Sequence, residues 1–268
     1  MSLSGLEHLL EQAPSFARAL DAAAEDAEFS VADGLRAPLI AGLIRKRRAA
    51  GDRGATLIIA ATSREADAIR QSIASILPDA ITTEFPAWET LPHERLSPSA
   101  ETVGHSAQAL RALRDYGADE AVAKEHPFVM VASVRAALQP VSPHAAHATP
   151  VILQTGKNVV LDSGELGLEA LSRTLVEFAY TRVDMVTRRG EFAVSGGILD
   201  VFPPTAEQAV RVDFFGDEVD LIKRFAVSDQ RSAGDPLDSL ELWPARELLL
   251  TAEVREKAAE LLPRFPAL

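Results

Sequence analysis

Apolar residues at helical spacing (Leu6, Leu9, Leu10, Phe16, Leu20) predict an amphipathic helical segment from Leu3 to Ala24, interrupted at Pro14. Phe29-Ser30-Val31 then reads as a short strand. Asp33-Gly34 turns the chain into a helix from Ala37 to Ala50, with Pro38 suited to its first turn. The run from Leu57 to Ala61 predicts a buried strand. Ser63 is placed to cap the next helix, whose apolar face is Ala66, Ile69, Ile73 and Ile76 and beyond whose end lies Pro78. A strand at Ile81 to Phe85 leads into a proline-rich loop, Pro86 to Pro98, and a helix from Glu101 to Tyr116. Phe128 to Ala132 predicts another buried strand, followed by Ser133 as the cap of a short helix before Pro140. This β-α-β-α alternation predicts a parallel sheet with helices on both faces.

The pattern changes after a small, polar, proline-bounded stretch, Ser142 to Pro150, which reads as a linker. Strands are predicted at Val151 to Leu153 and Val159 to Leu161, with a helix from Leu166 to Phe178. The stretch Tyr180 to Phe225 predicts a compact antiparallel meander. Glu191 to Val194 and Ile198 to Phe202 are strands, Pro203-Pro204 stops the second, and Val210, Val212 and Phe214 alternate with Arg211, Asp213 and Phe215. Gly216-Asp217 supplies a tight turn. Gly196-Gly197, read as lying inside a strand, predicts a bulge or a close backbone approach. A strand at Leu240 to Leu242 and a helix from Thr251 to Leu262 end the chain. There is no internal repeat and no low-complexity tract. The expected organisation is a helical segment (1–28), an α/β domain (29–145), an α+β domain (146–235) and a return segment (236–268) that begins to complete the first domain.

Composition narrows the function classes. The 268 residues carry a net charge of −12 and no cysteine, so a disulfide framework, a thiol nucleophile and a thiolate metal site are excluded. No apolar run approaches the roughly 20 residues of a spanning helix, and the N-terminus lacks a secretory pattern; a cytoplasmic location is the default. An acidic chain is a poor stand-alone ligand for duplex DNA, and the balance leans towards a protein partner. The densest basic run, Arg45-Lys46-Arg47-Arg48, falls in the last turn of its helix, where cations complement the dipole.

Two long motifs carry a family resemblance. RRGEFAVSGGILDVFPP followed by VRVDFFGDEVD and FAVSDQRS, and upstream FPAWETLPHERLSP with SAETVGHSAQALRAL, resemble the amino-terminal part of the bacterial transcription-repair coupling factors (Mfd), whose nearest relative in kind is UvrB. The fold so implied is α/β: a P-loop-like parallel-sheet domain with a degenerate nucleotide loop and an inserted α+β antiparallel domain. The resemblance implies a module that recruits UvrA. Full-length members also engage RNA polymerase and double-stranded DNA and are ATP-dependent translocases. A UvrB-like, ATP- and DNA-dependent repair helicase module is the alternative. A chain ending at Leu268 is then expected to be a fragment or a truncated product.

The candidate residues follow. A working phosphate loop needs Gly-Lys-Ser/Thr, and VADGLRAPLIAGLI offers only Gly34 and Arg36. No nucleotide, cofactor or metal is expected in this segment. Glu89, Glu94 and Glu101 flank His93 and His105 with nothing in the spacing to make them converge, and His144 and His147 lack further ligands. No catalytic residue is assigned. Arg182, Arg188 and Arg189 precede the strand carrying Phe192, and Phe215 falls on the polar side of its strand. Arginines beside an exposed aromatic fit a protein-binding hot spot. A solvated arginine rim over a buried Phe192 fits the same residues equally well. The resemblance favours the first and implies UvrA contacts at Arg182, Arg188, Arg189, Phe192, Ser195, Gly196 and Gly197. The family usually reads RGG where Ser195-Gly196-Gly197 stands. Loss of that arginine removes one charge-assisted contact, on the order of 2–5 kcal/mol when buried and paired.

Overall fold

The computed structural model describes residues 10, 12–23, 26–91, 94, 96–141, 147–161, 163–232, 234–249 and 251–264. The chain divides into two compact units. One comprises residues 1–87 and 109–141, the other residues 88–108 and 142–268. Each unit is mixed α/β, the first around a parallel sheet and the second around antiparallel pairings.

In the first unit, β1 (Thr56–Ala60), β2 (Ile81–Phe85) and β3 (Phe128–Ser133) form a parallel sheet in the order β1-β3-β2. All six residues of the central β3 are buried, and its period-two alternation feeds two cores. Val129 and Val131 pack with Ala41 and Ile44 of α2 (Asp33–Ala49) and with Ala66 and Ile73 of α3 (Ser63–Ile76). Phe128, Met130 and Ala132 pack instead with Ala109 and Tyr116 of α4 (Ala100–Ala118). Helices therefore cover both faces, as the alternation predicts.

Pro14 opens α1 (Pro14–Ala22), in the first turn where its missing N–H costs nothing; residue 10 is helical and residues 12 and 13 form a turn and a bend, so the segment is interrupted at Pro14 as expected. Residues 3–9, 11 and 24 of that predicted segment lie outside the described residues. Several local readings need correction. Phe29 to Val31 is not a strand; Phe29 and Val31 pack beside Phe16, Leu20 and Leu39, so helix side chains satisfy their apolar pattern. The second helix starts at Asp33, four residues early, which places Pro38 inside it. Thr62, not Ser63, caps α3, accepting from Glu65 N at 3.2 Å. β1 pairs only with β3, and the helices on its outer side cover β2 and β3. Leu57 and Ile59 therefore stay exposed, and β1 is half-buried rather than buried.

The first unit continues through α5 (Glu120–Glu125) and, after β3, α6 (Val134–Leu138), which Ser133 caps as expected by accepting from Ala136 N at 3.2 Å. In the second unit, β4 (Val151–Gln154) pairs antiparallel with β10 (Ser239–Leu242). A five-stranded sheet follows the order β5 (Thr181–Arg182), β6 (Glu191–Ser195), β7 (Ile198–Val201), β8 (Ala209–Phe215), β9 (Glu218–Phe225). The meander is antiparallel except at its edge, where β5 runs parallel to β6. Leu171 and Leu175 of α7 (Gly167–Glu177) pack onto Phe192, Leu199, Val212 and Ile222 on one face. Val186, Phe202, Ala209 and Phe225 form a smaller cluster on the opposite, outer face. Val159 to Leu161 makes only isolated bridges (Val160 to Leu166), although Val159 and Leu161 are buried. The final helix is α8 (Ala252–Leu261), capped by Thr251.

Gly196-Gly197 is a hairpin turn, not strand interior: Gly196 has φ 60°, and Ser195 pairs with Ile198 across it. The bulge lies in the β8–β9 ladder, where the register shifts between Asp213 and Phe214 and Asp220 of β9 is the extra residue. Gly197 meets β8 closely, accepting from Phe214 N at 2.8 Å, and a Cβ at Gly197 would stand 3.0 Å from Phe214 O. The expected close backbone approach is real and spans strands.

Candidate functional site

The outer face of the five-stranded sheet carries a shallow cleft of about 650 Å³ lined by Arg182, Asp184, Val194, Ser195, Ile198 and Asp200. The sequence order explains the convergence. β5 lies beside β6, the Gly196-Gly197 turn folds β7 back against β6, and alternation then puts Ala193, Ser195, Ile198 and Asp200 on one face. Next to it, Arg211 binds Asp200 through two hydrogen bonds of 2.7 Å, with its guanidinium 5.1 Å from the Phe225 ring centroid. Hydrogen bonding to Asp200 raises the Arg211 pKa against the opposing effect of burial.

The predicted residues separate into distinct roles. Arg182 and Ser195 line the cleft and are exposed. Arg188 is exposed on the turn before β6, and its backbone N–H donates to the Glu191 carboxylate at 2.9 Å, alongside Thr187 N and Oγ1. Burial pushes the Glu191 carboxyl up, but these hydrogen bonds outweigh it and hold the group below its ordinary value. Arg189 is a brace. Its Nε donates to Ala206 O at 3.1 Å, it pairs with Glu101 at 3.4 Å, and its guanidinium lies 5.0 Å from the Phe202 centroid. Phe192 is fully buried in the core shared with α7, so it offers a partner no surface. Its strand position faces the helix, and the aromatic that reaches solvent is Phe215, 83% exposed, on the polar side that the alternation assigns to it.

Gly34 and Arg36 sit inside the first turn of α2, and Arg36 is paired with Asp33 at 3.0 Å and Glu65 at 2.6 Å. The basic run at the end of α2 is likewise engaged within the fold. Lys46 donates to Leu20 O and Asp21, Arg47 to Asp52, and Arg48 to the carbonyls of Ala123, Lys124 and His126.

The carboxylates of the proline-rich loop do not converge on a catalytic pair. Glu89 accepts from Ser99 Oγ at 2.6 Å and from Thr102 Oγ1, tying the loop to the start of α4, while Glu101 turns to Arg189. Burial again acts against Glu89 ionisation, and the Ser99 and Thr102 bonds override it to lower the pKa. His93 and His144 lie outside the described residues. Among the described residues no group of three His, Asp or Glu side chains is placed to hold a metal, and no helix is long and apolar enough to cross a membrane. Sequence reasoning missed the Asp200–Arg211 pair, whose signal is opposite charge on two successive strands, β7 and β8, joined by the connection 202–208 that starts with the Pro203-Pro204 stop.

Residues 160–248, which contain the whole sheet, match the UvrB interaction domain. The transcription-repair-coupling factors of Mycobacterium bovis and Mycobacterium tuberculosis are each 42% identical over 268 residues, covering 99% of this chain and 20% of theirs. That of Bacillus subtilis is 33% identical over 198 residues, 73% of this chain and 15% of its own. The chain thus spans about a fifth of the length of the mycobacterial relatives. With the UvrB interaction domain inside it and the match to the coupling factors running its whole length, the chain belongs to the amino-terminal UvrB-like module of the transcription-repair-coupling factor family.

Proposed function

We propose that this module recruits the nucleotide-excision-repair protein UvrA, and that the outer sheet face around Arg182, Ser195 and Ile198 is where UvrA docks. The observation that carries the reading is the cleft itself. It lies entirely within the segment matched to the UvrB interaction domain and presents an exposed cation beside an exposed isoleucine. Arg188 adds a second exposed cation at the edge, and Phe215 an apolar knob on the β8–β9 turn. Small interfaces of this kind draw most of their affinity from a few arginine and aromatic anchors. In this reading Arg189 acts indirectly, by holding the turn that presents Arg188. Contact with RNA polymerase and ATP-dependent movement on double-stranded DNA belong to other parts of the longer relatives, and the module works in the cytoplasm without a nucleotide of its own.

The test is calorimetric titration of UvrA into the chain and into Arg182→Glu and Ser195→Arg. Binding that Arg182→Glu abolishes, with the thermal transition unchanged, supports the docking face. Ser195→Arg is expected to tighten binding by restoring the arginine of the family pattern. Absence of binding by all three proteins, or equal binding by all three, overturns the assignment.

A further inference from the structure

We propose that the groove alongside α8 receives a basic amphipathic helix, at a second docking site that shares no residue with the sheet cleft. The groove encloses about 530 Å³ within the second unit. Val103 and Ala107 of α4 and Phe178 line it, and Leu249 and Val254 contribute from the side of α8.

Three observations bear on its occupant. First, α8 is without a buried partner. It turns Val254 to the groove together with Glu253, Glu256, Lys257 and Glu260, yet no residue of the helix is buried. Second, Ser106 is 2% exposed, its Oγ makes no hydrogen bond among the described residues, and the residue lines the groove. An unpaired buried hydroxyl is unfavourable until a donor or acceptor reaches it. Third, the groove is acidic: Glu247, Glu253, Glu256 and Glu260 line it with Arg246 and Lys257, four carboxylates against two cations. Lys257 is already paired with Glu260 at 2.7 Å, and Glu247 accepts from the Trp88 indole at 3.0 Å. Glu253 and Glu256 are left without an ion pair among the described residues.

An apolar floor of Val103, Ala107, Phe178, Leu249 and Val254 under a rim of uncompensated carboxylates is complementary to a helix with aliphatic residues on one side and lysine or arginine on its flanks. A polar side chain at the centre of that helix would reach Ser106.

The probe is a fluorescent peptide of roughly 18 residues, about five helical turns, with leucine at i, i+3, i+4 and i+7, one serine at the centre of that leucine face and lysine elsewhere. Its control carries glutamate for lysine. Both are titrated onto the full chain by anisotropy. The lysine peptide is expected to saturate, with the glutamate peptide at least about tenfold weaker. Glu253→Lys with Glu256→Lys, both at the solvent-exposed rim of the groove, is expected to reverse that preference. Ser106→Ala is expected to weaken the lysine peptide without lowering the melting temperature of the free chain. The proposal is overturned if neither peptide binds, if both bind equally, or if the preference survives the double charge reversal. Self-association of the free chain that the same double variant abolishes would make a second copy the occupant, which also overturns it.

Discussion

Arg211 and Asp200 face each other across β7 and β8 as a forked pair, with Nε to Oδ1 and a second guanidinium nitrogen to Oδ2 both at 2.7 Å. The side chains are 28% and 17% exposed, between the regimes of surface and buried ion pairs. Arg211→Ala removes one partner and leaves the other partly desolvated, so a loss of about 2 kcal/mol is expected in urea denaturation. Arg211→Lys is expected to recover less than half, because an ammonium cannot fork a carboxylate. Full recovery by lysine would mean that charge alone, not the fork, stabilises the pair.

Phe192 and Phe215 test the assignment of the two sheet faces. Phe192→Ala opens the core beneath α7 and is expected to cost about 3–5 kcal/mol. Phe215→Ala, at an exposed turn, is expected to change stability by no more than about 0.5 kcal/mol while weakening UvrA binding. A destabilisation by Phe215→Ala that matched that of Phe192→Ala would contradict the faces.

Gly104 lies inside α4, where glycine to alanine ordinarily stabilises by about 1 kcal/mol. Here the sign is expected to reverse. A Cβ at Gly104 would stand 2.5 Å from Pro204 Cβ and 3.1 Å from Thr205 Cγ2, so Gly104→Ala is expected to lower stability by about 1–3 kcal/mol. An increase in melting temperature would show that the contact relaxes freely.

Glu191 sets a pH dependence. Its folded-state pKa lies below the ordinary value of 4.5, so its contribution is present above pH 4.5 and is lost as pH falls through the folded value. Glu191→Gln is expected to lower the melting temperature at neutral pH, with the gap to the parent chain closing as the solution is acidified below pH 4.5. A gap that widened on acidification would reverse the sign of the shift.

Much of the fold is legible in the sequence because its elements obey single periods. Phe128 to Ala132 is apolar throughout and becomes the central strand, and Ser133 and Thr251 cap the helices that follow them. Where reading fails, tertiary contacts decide. Phe29 and Val31 alternate like a strand but rest on helix side chains, and Leu57 and Ile59 look buried by composition but lie on an uncovered edge. The site was legible in part. The arginines stand out locally, but the Gly196-Gly197 turn reads as strand interior, and which side chains face solvent depends on partners far along the chain: Ala206 and Glu101 for Arg189, and α7 for Phe192. The segment 88–108 groups with the second unit through contacts, such as Trp88 to Glu247, that no local pattern announces.

The β4–β10 pairing has a consequence for how such a module travels through evolution. Val151 and Leu242 are register partners, so the polypeptide leaves and re-enters through adjacent strands about 5 Å apart. To the flanking chain, everything between them is equivalent to a short hairpin loop, and its length carries only a weak, logarithmic entropic cost. A sheet can therefore be gained, lost or exchanged as a cassette together with the β4–β10 pair, whose Leu153, Leu240 and Leu242 belong to the sheet's core, while the chain on either side keeps the same termini.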